Sequence, residues 1–137
     1  MKIIIVEDEK SIRSGLARML PKLDPEYEVA GAAKDGQEGY QLISGENPDL
    51  VIMDIEMPEM NGVEAAEWIR KSHPDCVIIF LTAYDDFSYA KRAIELGIEN
   101  YLLKPIKIEE LKKTLQGVSA SLKQAAGTRK IQEKLLS

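Results

Sequence analysis

Glu7, Asp8, Asp54, Thr82 and Lys104 are the residues whose types and placement could do phosphate chemistry. Each follows a short apolar run: residues 3–6 lead into Glu7 and Asp8, 50–53 into Asp54, 77–81 into Thr82 and 101–103 into Lys104. Carboxylates held a few ångströms apart repel, so a cluster of them either raises a pKa or recruits a cation. An oxygen-only donor set without His or Cys suits Mg²⁺, which keeps several waters and takes few protein carboxylates. A carboxylate can also attack phosphorus and form an aspartyl phosphate. The phosphoryl oxygens then need positive charge and hydrogen-bond donors, which a metal, the Lys104 ammonium and the Thr82 hydroxyl would supply. A single Asp after a strand can simply cap the next helix. A Glu-Asp pair after one strand and an Asp ending another fit that reading poorly. Taken singly, Thr82 is an ordinary strand-end residue and Lys104 a solvated charge; together they complete what the carboxylates leave unfinished.

The elements that must position these residues follow from the apolar runs. Runs of β-branched and aliphatic residues read as strands of a parallel sheet buried on both faces. Helical patterns separate them. Ser11 is the expected N-cap of a helix with Ile12, Leu16, Met19 and Leu20 on its apolar face, ended by Pro21, Asp24 and Pro25. Residues 27–33 form the second strand, 36–43 a short second helix, and Gly45, Asn47 and Pro48 a loop. Pro58 and Gly62 flank the start of a third helix that sends Val63, Ala66 and Ile69 inward and stops at His73-Pro74. A fourth helix over 87–96 closes at Gly97. The short fifth strand, Pro105 and a last helix beginning near Ile108 complete the chain. Parallel strands need right-handed crossovers. The expectation is therefore a doubly wound α/β sandwich of five βα units, flavodoxin-like, with strand order 2-1-3-4-5. In such sheets ligands bind outside the carboxyl ends of the strands, which brings the five polar residues to one edge.

Ile108, Leu111, Leu115, Val118, Leu122 and Ala125 recur at spacings of three and four, a heptad seam. Two readings stand for its outer part: a frayed end, favoured by Gly117 and Gly127, or a helix continuing as a linker. The domain reading is 1–121 for the globular part and 122–137 for the extension.

The 137 residues are 45% hydrophobic with net charge −5, which suits one domain and gives no nucleic-acid footprint. No apolar stretch approaches a membrane span, and Met1-Lys2-Ile3 leads straight into a strand rather than a signal peptide. Cys76 is the single cysteine, which excludes an intramolecular disulfide and a Cys-rich zinc site. A cytoplasmic, reducing compartment is expected. His73, before a proline, reads as a surface loop residue, and Trp68 and the methionines near the third helix as packing or helix surface.

Four segments together resemble the receiver domain of two-component response regulators over residues 1–121. They are Ile4-Ile5-Val6-Glu7-Asp8-Glu9, Met53-Asp54-Ile55-Glu56-Met57-Pro58 with Asn61-Gly62, Leu81-Thr82-Ala83, and Leu103-Lys104-Pro105. The resemblance implies that Asp54 accepts a phosphoryl group from a sensor histidine kinase. It implies Mg²⁺ held by Glu7, Asp8, Asp54 and the backbone carbonyl of Glu56. Lys104 would pair with the phosphoryl group, Thr82 would move onto it, and Tyr101 would occupy the aromatic switch position; an ordinary core tyrosine is the other reading of Tyr101. The Lys104-Pro105 peptide is expected to be cis. The segments 83–90 and 101–106 look like regulators of the YesN-like group, whose AraC-type output domain reads DNA and lies outside these residues. The seam from Ile108 to Ala125 also suggests a weak or phosphorylation-enhanced homodimer.

Competing functions meet specific obstacles. A flavin-binding electron carrier shares the fold but needs hydroxyls and N–H groups after the first strand, where Glu7-Asp8-Glu9 puts negative charge. A haloacid-dehalogenase-type phosphatase needs a second Asp two residues after its nucleophile, and Glu56 stands there. A docking receiver that is never phosphorylated would not need the acidic set, Thr82 and Lys104.

Overall fold

The computed structural model describes residues 1–57, 60–83, 95 and 100–136, with Met60 and Asn61 described by backbone alone. The strands are β1 (Lys2–Val6), β2 (Glu28–Ala33), β3 (Leu50–Asp54), the two-residue β4 (Glu56–Met57) and β5 (Met60–Asn61), β6 (Val77–Thr82) and β7 (Asn100–Leu103). The helices are α1 (Lys10–Leu23), α2 (Gly36–Glu46), α3 (Gly62–Ser72) and α4 (Ile108–Leu136). Apart from residue 95, the helix expected over 87–96 lies outside the described residues.

Five strands form one parallel sheet in the order β2-β1-β3-β6-β7, the expected topology with the short antiparallel β4-β5 ribbon inserted after β3. The sheet is dictated by side-chain pattern: Ile3, Ile4 and Ile5 on β1 and Leu50, Val51 and Ile52 on β3 are all fully buried, as strands covered on both faces must be. Alternation sorts the faces. Ile4, Val6, Val51, Met53, Ile78 and Phe80 join Ile43 of α2 and Val63, Ala66 and Ile69 of α3 in one core cluster. Ile3, Ile5 and Ile52 face the other way, and α1 buries Leu16 and Leu20 outside that cluster.

Several boundaries depart from expectation. The N-cap of α1 is Glu9, without a side-chain cap bond, and Ser11 lies inside the helix. Pro21 does not end α1 but sits in its last turn. Helix α2 outlasts residue 43 by three residues and closes on Asn47, whose left-handed φ of 48° lets its N–H reach the Ile43 carbonyl. Asp35 caps its start, accepting from the Glu38 N–H at 2.8 Å.

The chain divides into two units, the first spanning Met1–Ile106 and the second beginning at Lys107. The second is a single helix of 29 residues, continuous through Gly117 and Gly127. Of the seam residues, Leu111, Leu115 and Val118 are buried, whereas Ile108 is exposed, against the expectation that it begins the apolar face. Further along, Ile131, Leu135 and Leu136 are exposed. No described helix is long and apolar enough to cross a membrane.

Candidate functional site

Register brings the acidic residues together. In the β1–β3 pairing, Ile5 stands beside Ile52 and Val6 beside Met53, so the next step places Glu7 beside Asp54 on strands about 4.8 Å apart. Both share the parity of Ile5 and Ile52, so their side chains leave the same face. On the other side of β3, Asp54 stands beside Leu81, and Thr82 of β6 beside Leu103 of β7. Five sequence-predicted residues thus converge at the carboxyl ends of four strands.

Carboxylate oxygens of Glu7, Asp8 and Asp54 lie within 4.8 Å of one another. Glu7 is fully buried, Asp54 nearly so, and Asp8 is exposed. Lys104 Nζ bridges the two buried acids, donating to Glu7 Oε1 at 2.7 Å and to Asp54 Oδ2 at 3.0 Å. The remaining oxygen of Glu7, Oε2, is buried with no hydrogen-bond partner. Burial pushes the Glu7 carboxyl up to about 7; the Lys104 hydrogen bond opposes that shift and the Asp54 charge adds to it. Partial burial and the Asp54 charge likewise hold Asp8 above its ordinary value. Burial alone would lower Lys104, but its hydrogen bonds to Glu7 and Asp54 and the charges of those acids outweigh it, so Lys104 stays protonated.

Three carboxylates against one ammonium leave the site short of positive charge, and an unpartnered buried oxygen carries a desolvation penalty. An oxygen-only donor set with those two deficits fits a hard divalent cation. The residues present therefore fit Mg²⁺, with Glu7, Asp8 and Asp54 offering the carboxylate oxygens that could hold it.

The backbone around Asp54 is tied closely. The Glu56 N–H donates to Asp54 Oδ1 at 2.9 Å while the Glu56 side chain is exposed. Ile55 N–H donates to the Leu81 carbonyl, and Gly62 N–H to the Ile55 carbonyl, both at 2.9 Å. A Cβ on Gly62 would stand 2.7 Å from Ile55 Cα and 2.9 Å from the Asp54 carbonyl oxygen, so only glycine lets α3 start this close to the acid's backbone. Thr82 is buried at the end of β6, and its carbonyl accepts from Lys104 N–H at 2.8 Å. The Lys104-Pro105 peptide is cis, as expected. Tyr101 is 51% exposed on edge strand β7, not a core tyrosine. His73 is half-buried, with Nδ1 3.1 Å from Asn47 Oδ1 and its ring edge-on to Trp68, which packs against the core.

Sequence reasoning passed over two contributors, Arg13 and the role of Gly62. Arg13 Nη1 donates to the Glu7 carbonyl at 2.8 Å and lies 3.3 Å from that of Asp8. A cation five residues beyond Asp8 was the only signal, and it resembles any solvated helix charge.

Comparison with known proteins agrees with this geometry. Residues 3–116 match the response regulator receiver domain family. The chain is 44% identical over 114 residues to a response regulatory protein of Staphylococcus epidermidis, covering 83% of this chain and 45% of that one. It is 43% identical over 110 residues to the transcriptional regulatory protein HptR of Staphylococcus aureus, covering 80% of this chain and 43% of HptR. The chain thus spans about half the length of the curated relatives it matches. Among solved structures, the receiver domain of AraT, a response regulator from Geobacillus stearothermophilus, superposes with a TM-score of 0.83 at 34% identity, covering 91% of this chain and 97% of that one. With its parallel sheet, its acidic edge and the lysine bridging that edge, this chain belongs to the receiver domain family of two-component response regulators.

Proposed function

We propose that this domain is a cytoplasmic phosphoacceptor switch in which Asp54 takes a phosphoryl group from a sensor histidine kinase. One observation carries the reading: Lys104 Nζ spans Glu7 and Asp54 inside a carboxylate cluster that remains negatively charged and keeps a buried oxygen unpartnered. Bound Mg²⁺ would neutralise the acids and supply positive charge to the phosphoryl oxygens. Glu7, Asp8, Asp54 and the Glu56 carbonyl are its proposed ligands. The Asp54 carboxylate is the proposed nucleophile; its Oδ1 accepts from the Glu56 N–H and its Oδ2 from Lys104. Lys104, released from Asp54 on transfer, pairs with the new phosphoryl group and keeps its proton throughout. The Thr82 hydroxyl, one strand away, turns onto the same group.

That movement is the proposed output signal. Tyr101, exposed on the edge strand, turns inward as Thr82 leaves its resting place. Moving the population from 1:99 to 99:1 requires phosphorylation to favour the active state by about 5.5 kcal/mol. We take residues 1–121 as the switch and 122–137 as a helical linker to a DNA-binding output domain, in line with relatives named as transcriptional regulators. The AraC-type assignment of that output rests on the sequence resemblance alone. The exposed Ile131, Leu135 and Leu136 on the linker favour a weak homodimer that phosphorylation strengthens.

Intact-mass spectrometry after incubation with acetyl phosphate tests the core of this reading. A single phosphoryl addition with Mg²⁺ and none in chelator is expected; full modification in chelator would overturn the metal dependence.

A further inference from the structure

We infer that Arg13 is a positioning residue for the cation site, a role that rests on reading Glu7, Asp8 and Asp54 as a Mg²⁺-dependent phosphoacceptor. Arg13 is the fourth residue of α1, and its own N–H donates to the Glu9 carbonyl at 2.9 Å, so the helix fixes its backbone. Its half-buried side chain turns back across the helix start. There Nη1 donates to the Glu7 carbonyl at 2.8 Å and, more weakly, to the Asp8 carbonyl at 3.3 Å. Those carbonyls belong to the residues that carry two of the three clustered carboxylates.

Among the described residues, Lys104 also holds this segment, through the Glu7 carboxylate at 2.7 Å. Glu7 N–H donates to the Ala33 carbonyl at 2.9 Å, tying one edge to β2. Glu9, at the N-cap, makes no side-chain cap bond, so the anchor that Asp or Ser would give this helix start is missing. Fixing the peptide planes of Glu7 and Asp8 fixes where their Cα–Cβ bonds point. Mg²⁺ demands near-ideal octahedral geometry, so small rotations of those bonds matter. Both contacts come from Nη1, whose N–H directions the planar guanidinium fixes; the group stays charged at every accessible pH, whereas a lysine ammonium is a rotating point charge on a shorter stem.

Arg13 exerts two opposed effects on a bound cation. Its positive charge repels the cation, whereas its grip on the carbonyls assembles the ligands. The sign of a substitution therefore separates positioning from electrostatics.

Calorimetric titration of the whole chain with Mg²⁺ at fixed salt reads the effect, comparing wild type, Arg13→Lys and Arg13→Met. Arg13→Lys keeps the charge and loses the reach and fixed aim of Nη1; binding should weaken about 10-fold or more, within the 10–100-fold range for partners that orient metal ligands. Arg13→Met should also weaken binding, by a smaller factor because a repelling charge has gone. Acetyl phosphate labelling of Arg13→Lys should recover at high Mg²⁺, a defect in half-saturating metal rather than in maximal rate. Wild-type affinity in Arg13→Lys, or tighter binding in Arg13→Met, overturns the role. Wild type that neither binds Mg²⁺ nor becomes labelled overturns the phosphoacceptor reading itself, and the clamp with it. A measurement on wild type alone guards against a misfolded variant: amide order parameters of Glu7, Asp8 and Glu9 without metal. Values about 0.85, as in ordered backbone, are expected, and values below about 0.6 overturn the clamp.

Discussion

Replacing Glu7 by glutamine should stabilise the metal-free protein at neutral pH, even though it deletes half of an ion pair. Glu7 is fully buried, and only one of its two oxygens has a partner, Lys104. Burial raises its carboxyl from 4.5 to about 7, so the folded chain binds this proton more tightly than the unfolded chain does. The contribution to stability is complete below pH 4.5 and is lost as pH rises to about 7. At about 1.4 kcal/mol per pKa unit, the loss reaches roughly 3 kcal/mol by pH 8. Glutamine is nearly isosteric and never ionises, so Glu7→Gln should exceed wild type by about 2–3 kcal/mol at pH 8 and by less than about 1 kcal/mol at pH 4.5. Urea unfolding in chelator at both pH values measures this, with the difference between the two proteins cancelling the other titrating groups. Mg²⁺ should reverse the order, because binding at 100 times Kd adds about 2.7 kcal/mol to the protein that holds it. A variant no more stable than wild type at pH 8 would refute the reasoning.

Gly62→Ala forces a methyl onto the backbone of Ile55 and Asp54; it should lose about 1–3 kcal/mol in urea unfolding and label more slowly at Asp54. Asp35→Ala removes the cap of α2 and should cost about 1 kcal/mol without changing Mg²⁺ affinity by calorimetry. A chain ending at Ser121 retains the buried Leu111, Leu115 and Val118, so its unfolding free energy in urea should stay within about 1 kcal/mol of the full chain.

Much of this architecture was legible because the strands are continuous apolar runs whose last residues are polar. Ile3 to Val6 and Leu50 to Met53 leave few alternatives to a doubly covered parallel sheet. Once the strands pair in register, Glu7, Asp54 and Lys104 meet without further assumption. What escaped notice depends on tertiary paths. Ser11 is the better cap by preference, but such preferences are worth only about 1 kcal/mol, and the turn out of β1 starts the helix earlier. Each glycine in α4 disfavours the helix by about 1 kcal/mol relative to alanine, yet Lys, Gln, Ala, Arg and Leu around them are strong formers, and the helix runs through. The Glu56 N–H bond to Asp54 had no signal in the sequence either, because it depends on how the chain turns after β3. Arg13 could not be singled out, because which carbonyls it meets is set by the loop and not by the spacing.

The central claim is that Asp54 itself carries the phosphoryl group. Borohydride reduction after acetyl phosphate treatment converts an aspartyl phosphate into homoserine, which tandem mass spectrometry of the peptides locates. Homoserine at position 54 alone, dependent on Mg²⁺ and absent from Asp54→Asn, is the expected result. Homoserine at Asp8 or elsewhere in wild type, or undiminished phosphoryl addition to Asp54→Asn, would contradict the account.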